Sequence, residues 1–119
     1  MSWAKLSLFV LFAVALACGQ VLFKLAAESL KGPLAVDART ALQLATNRYL
    51  LLGLGLYFAS TLLWIVLLRD TDLSKAYPIV ALALVLVPLL GTFVFGEQLS
   101  VRLMLGIAVV IVGLAIALS

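Results

Sequence analysis

Charged residues punctuate this chain at wide intervals, and what lies between them is long, uncharged and apolar. Leu6 to Phe23 is a run of 18 residues between Lys5 and Lys24, about 27 Å long as a helix. Tyr49 to Leu68 gives 20 residues between Arg48 and Arg69, and Ala76 to Phe95 gives 20 between Lys75 and Glu97. The last run, Leu103 to Leu118, follows Arg102; Ser100 is placed to cap its helix, and Val101 extends it. Each run matches a hydrocarbon core of about 30 Å. The pattern predicts an all-α integral membrane protein with four transmembrane helices over about 4–25, 49–68, 75–95 and 101–118.

The connections predict how the spans are arranged. Arg69 to Lys75 and Gly96 to Ser100 are short links, which imply antiparallel neighbours and hence an up-down bundle. The first connection is longer. It holds Lys31-Gly32-Pro33, a turn signal, and then a stretch over 33–47 with Pro33 at a helix start. Leu34, Ala38, Ala41, Leu42 and Ala45 fall near one face of that stretch, with Asp37, Arg39, Gln43 and Asn47 mostly elsewhere. The expectation is a short interfacial helix; a solvated loop with helical tendency is the alternative.

Composition strengthens the membrane reading, since 66% of the 119 residues are hydrophobic and 11% are charged, against about 25% charged in a soluble domain. The net charge of +3 and pI near 9.4 raise nucleic acid as a partner. The eight Lys and Arg are scattered singly with no basic stripe, so membrane lipids are the expected partner and nucleic acid is not. One cysteine and no histidine exclude an intrachain disulfide, a Cys/His zinc site and a nucleophile–His pair. No cofactor motif is present, and an enzyme is not expected. Lys5 and Ala15-Leu16-Ala17-Cys18-Gly19 loosely resemble a lipoprotein signal. Cleavage there would leave three spans and nothing to anchor, so the first run is expected to stay in the membrane. Lys5, Arg69 and Lys75 share one side; Lys24, Lys31, Arg39, Arg48 and Arg102 share the other. Three against five favours a cytoplasmic long connection, by a margin that leaves dual insertion open.

Candidate chemistry lies near the span ends. Gln20 and Lys24 are four apart and share a helix face. They suit a phosphate or carboxylate at the membrane surface; alternatively Lys24 snorkels and Gln20 bonds a neighbouring helix. Pro78 falls in the first turn of span three, while Pro88 sits near its middle with Gly91 following, a candidate hinge for alternating access or a static kink. Tyr77 reads as an interfacial aromatic or part of a path. Gly106 and Gly113, seven apart on span four, suit a dimer interface or packing within the chain. Glu97, with Arg102 five residues on, is the one acidic group at a span end, a candidate proton site or a structural carboxylate.

Taken together, Gly19-Gln20 with Lys24, Trp64, Ser74-Lys75-Ala76-Tyr77-Pro78-Ile79, Gly96-Glu97-Gln98-Leu99-Ser100 and Gly106 to Gly113 resemble the drug/metabolite transporter superfamily, in its small multidrug resistance-like members. Two branches compete. The drug-exporting branch has a glutamate mid-way along span one and a tryptophan after its span-three tyrosine; this chain has Leu16 and Val80 there. The branch of lipid-linked sugar flippases, similar to subunits that move aminoarabinose-phosphoundecaprenol, shares Gly19-Gln20 and Ala76-Tyr77-Pro78. That resemblance implies a flippase for a polyprenyl-phosphate-linked sugar or related anionic lipid in a bacterial inner membrane. Lys24 would meet the phosphate, and Gln20, Tyr77 and Trp64 would line the headgroup path. Four thin helices enclose little cavity, so a transporter of this size is expected to pair, as a homodimer or a heterodimer with a related four-helix subunit. A proton-coupled exporter of cationic or hydrophobic compounds is the second reading, and a non-transporting subunit of a larger complex is the third.

Overall fold

The computed structural model describes residues 2–119. It contains α1 (Trp3–Ser29), α2 (Ala38–Thr46), α3 (Arg48–Leu68), α4 (Leu73–Val80), α5 (Ala83–Phe95) and α6 (Val101–Leu118). Four segments are long and apolar enough to cross a membrane: α1, α3, α4 with α5, and α6. The protein is a multi-pass membrane protein, all-helical among its described residues.

α1 starts on Ser2, whose hydroxyl accepts from the Lys5 amide at 3.2 Å. It runs on past Lys24 to Ser29, so its 27 residues span about 40 Å and carry Lys24 and Glu28 within the helix. Asn47 explains how this overhang is held. Its side-chain oxygen caps α3, accepting from the Tyr49 and Leu50 amides at 3.1 and 3.2 Å. Its side-chain nitrogen donates to the Ala26 carbonyl and the Ser29 hydroxyl at 3.2 and 2.7 Å. One amide therefore starts α3 and ties it to the end of α1.

The helix in the first connection begins at Ala38, five residues after Pro33. The start is set by Asp37, whose carboxylate accepts from the Thr40 amide at 2.9 Å, while the Thr40 hydroxyl accepts from the Ala35 amide at 3.2 Å. A capping side chain outweighs the preset φ of a proline here, because it satisfies donors that Pro33 would leave open. Hydrogen bonds to Asp37, that of the Thr40 backbone first, hold its carboxyl below its usual range. A depressed value means the cap contributes above the unfolded carboxylate's titration and is lost as pH falls through the folded one. Protection of the Ala38–Thr46 amides from hydrogen exchange, taken relative to the intrinsic rate at each pH, should therefore fall below about pH 4, and Asp37→Ala should lower it at neutral pH; protection that ignores both changes would refute the cap.

α1 packs along α3 and along α4 and α5, and α6 lies on α4 and α5 with no buried residue of its own. The tightest packing is at the Lys5 end, where Phe9, Leu67, Ala76 and Ile79 form a buried cluster with Leu6, Leu63, Trp64 and Leu68 against it. Toward the Lys24 end α1 stays close to α3 but parts from α5 around a cavity. The change comes where span three breaks, at Ala81 and Leu82. There the Leu82, Leu84 and Val85 amides bond to carbonyls three residues back, at 3.0, 2.9 and 3.0 Å, the spacing of a tightened 3₁₀ turn. Pro88 lies inside α5, not at the break. Its missing donor frees the Leu84 carbonyl, and its ring crowds that same carbonyl, so the distortion falls on the N-terminal side of the proline.

Candidate functional site

At the Lys24 end, Gln20, Val21 and Lys24 of α1 face Val87, Gly91 and Phe95 of α5 across a cavity of about 210 Å³, with Glu97 completing the wall. The reason Glu97 reaches this cavity is local. Gly96 ends α5 in the left-handed region, with φ of 67°, and its amide bonds to the Thr92 carbonyl at 3.1 Å. The Glu97 amide then bonds back to the Gly91 carbonyl at 3.3 Å. Gly91 is buried, and a Cβ there would collide with the Glu97 carboxylate. The missing side chain at Gly91 is what lets the acid fold over the helix end.

Gln20 is held by a residue that the motif reading passed over. Its amide nitrogen donates to the Tyr57 hydroxyl, and the Tyr57 ring packs on Phe23 at 5.0 Å between centroids. The same ring occupies the space a Cβ on Gly19 would need. Gly19-Gln20 thus works as a unit: the glycine admits the Tyr57 ring, and the glutamine bonds its hydroxyl. Tyr57 sits on α3 in a mostly apolar run, and the sequence signal for it is only that a tyrosine hydroxyl inside a span needs a partner.

A second cavity, about 370 Å³, continues from the first, sharing Gln20 and Val87 and adding Leu16, Tyr57, Ala83, Leu84 and Pro88. A third, about 550 Å³, lies between α5 and α6; it shares Leu84 and Pro88, is lined by Gly106, and has Ser100 and Arg102 at its mouth. Small polar and larger apolar spaces therefore adjoin one another from α1 to α6.

Trp64 and Tyr77 are not part of this group. Trp64 stacks on Phe12 at 4.9 Å and 20°, meets Phe9 edge-on at 6.0 Å, and meets Tyr77 edge-on at 6.3 Å. These contacts belong to the Lys5 end. Phe12 and Gln20 are eight residues apart on α1, about 12 Å along the helix. Pro78 lies inside α4, and Pro88 and Gly91 lie in α5 beyond the break. A Cβ on Gly106 or Gly113 would meet nothing within 4 Å, so neither glycine makes a close helix contact inside the chain.

Comparison with known proteins agrees with this architecture. The EamA-like transporter family matches residues 4–119. The chain belongs to the EamA-like transporter family. Its curated relatives include proteins named "Probable 4-amino-4-deoxy-L-arabinose-phosphoundecaprenol flippase subunit ArnE". That of Pseudomonas fluorescens is 36% identical over 107 residues, 89% of this chain and 90% of the relative. That of Yersinia pseudotuberculosis is 35% identical over 108 residues, 90% of each chain. That of Pseudomonas syringae is 39% identical over a shorter stretch of 69 residues, 58% of this chain and 64% of the relative. No solved structure matches the chain. Within an EamA-like transporter the position of Leu16 is informative. It lines the second cavity beside Gln20, so the wall there is aliphatic and carries no carboxylate.

Proposed function

We propose that this chain is one subunit of a flippase that moves a polyprenyl-phosphate-linked amino sugar across the bacterial inner membrane. The observation that carries the reading is that a cation, an amide and a carboxylate, Lys24, Gln20 and Glu97, line one small cavity at the membrane boundary. The headgroup in the relatives' name joins an amino group to a phosphate, and the cavity offers a partner for each. Lys24 meets the phosphate, Glu97 meets the ammonium, and Gln20, held by Tyr57, bonds the sugar. Glu97 in this role is a substrate contact, in place of the proton carrier that its position at a span end also suggested. The tail needs no polar partner and stays in lipid or in the apolar groove between α5 and α6.

The 3₁₀ turn at Ala81 and Leu82, flanked by Pro78, Pro88 and Gly91, is the place where α5 can swing relative to α4. The uncovered α6, with Gly106 and Gly113 free of contacts in the chain, supports pairing with a second four-span chain, a copy or a related subunit. Trp64 and Tyr77 brace the Lys5 end, away from the headgroup cavity.

Two variants of the assembled transporter test the site in reconstituted vesicles. Gln20→Leu with Lys24→Leu should reduce translocation of the amino-sugar lipid to background. Glu97→Gln should keep translocation but lose about tenfold of the preference for the amino headgroup over its hydroxyl counterpart, a modest effect for a close charge pair. An unchanged rate in the double variant would sink the phosphate assignment. An unchanged preference in Glu97→Gln would remove the acid from the site.

A further inference from the structure

The first connection builds a separate pocket, about 530 Å³, that the transport site does not use. Its walls come from the end of α1, one stripe of α2 and the start of α3, with Lys31, Arg39 and Arg48 supplying the charge. No Asp or Glu is among the lining residues. The three cations are exposed and together make a local positive field that attracts an anion.

The pocket is held in shape by hydrogen bonds. The Gln43 side chain accepts from the Lys31 amide at 3.0 Å and donates to the Lys31 carbonyl at 3.2 Å, which fastens α2 against the chain leaving α1. The Arg39 guanidinium donates to that same carbonyl at 3.4 Å. Gly32 has φ of 73°, and a Cβ there would collide with the Arg39 guanidinium. The glycine both makes the turn and leaves room for the arginine. Arg48 lies over the Tyr49 ring, 5.1 Å from its centroid, and donates to the Tyr49 hydroxyl at 3.3 Å.

The same connection carries apolar side chains that are mostly uncovered. Leu34, Val36 and Leu42 are 56%, 109% and 65% exposed. A cationic pocket on a connection that also exposes aliphatic groups, at the end of membrane-spanning helices, suits an anion carried on a lipid better than one free in water. We propose that Lys31, Arg39 and Arg48 hold the phosphate of an anionic bilayer phospholipid, with its acyl chains lying past Leu34 and Val36. The bound lipid fixes α2 at the interface and thereby the junction at Asn47 that joins α1 to α3. This inference stands independently of the flippase reading.

The test measures phosphatidylglycerol retained by the full chain after extraction from vesicles of phosphatidylcholine with one-fifth phosphatidylglycerol, using native mass spectrometry. The wild-type chain should retain one molecule. Arg39→Gln with Arg48→Gln should weaken retention about 30-fold, taking about 1 kcal/mol per basic residue at the surface. Arg69→Gln with Lys75→Gln removes equal charge from the opposite end and should leave retention unchanged. Arg39→Lys with Arg48→Lys should restore most of it, which separates charge loss from misfolding. Equal losses in both glutamine pairs would overturn the pocket in favour of general surface attraction. Displacement of the lipid by inorganic phosphate would overturn it in favour of a soluble anion. Displacement by polyprenyl phosphate at matched concentration would overturn it in favour of the transported lipid.

Discussion

Gly19→Leu should separate α1 from α3 and remove translocation together with stability. The Tyr57 ring already fills the space beside Gly19, and Gly53 of α3 has Phe23 of α1 2.7 Å from the place of its own missing Cβ. The two helices thus meet glycine to aromatic at two levels. Lipid gives no hydrophobic drive for helix association, so this close fit supplies much of what holds them. Overpacking it costs about 1–3 kcal/mol, and the larger side chain belongs at the upper end of that range. The ring that moves is also the one whose hydroxyl takes the Gln20 amide, so the headgroup cavity loses its shape at the same time. Unfolding in bicelles, followed with Gly19→Ala, Tyr57→Ala and the double variant, gives the coupling directly. A double variant whose loss equals the sum of the single losses would show that Gly19 and Tyr57 do not oppose each other.

Trp64→Ala should be the most destabilising single truncation in the chain. The indole stacks on Phe12, meets Phe9 and Tyr77 edge-on, and packs against the buried cluster in which Phe9 is fully covered. Truncating a packed tryptophan costs about 3–5 kcal/mol through lost contacts and the cavity left behind. Aromatic contacts of this geometry add roughly 0.5–1.5 kcal/mol each beyond area. Trp64→Phe should recover part of the stability and leave translocation per folded molecule near the wild-type rate. Full stability with lost translocation in Trp64→Phe would instead make the indole a headgroup contact.

The position of Trp64 also shows where reading the chain in order falls short. Trp64 lies five residues before Arg69, and Tyr77 two after Lys75, which places both beside Lys5 in an antiparallel arrangement. Gln20 lies four before Lys24, at the opposite end. The alternation of spans was therefore enough to separate the two groups, while motif resemblance alone had gathered them onto one path. Tyr57 is a different case. An aromatic in a lipid-facing run and one beside a glycine of the next helix look the same until the helices are rotated against each other.

The four apolar runs and their charged boundaries are local properties, set by the cost of placing Lys, Arg, Asp or Glu in hydrocarbon, so the amino-acid sequence by itself determined the spans. The shared face of Gln20 and Lys24 is equally local, because helix periodicity sets it. Three features depended on tertiary structure. Glu97 joins Lys24 across the cavity only because Gly91 leaves room and Gly96 turns the chain back. Asn47 links the ends of two helices that are far apart in the chain. The break in span three falls at Ala81 and Leu82, seven and six residues before Pro88, just past the part of α4 that packs Ala76 and Ile79 against Phe9 and Leu67. Each depends on how one helix is turned against another, and in lipid that is decided by close packing and by pairing polar groups.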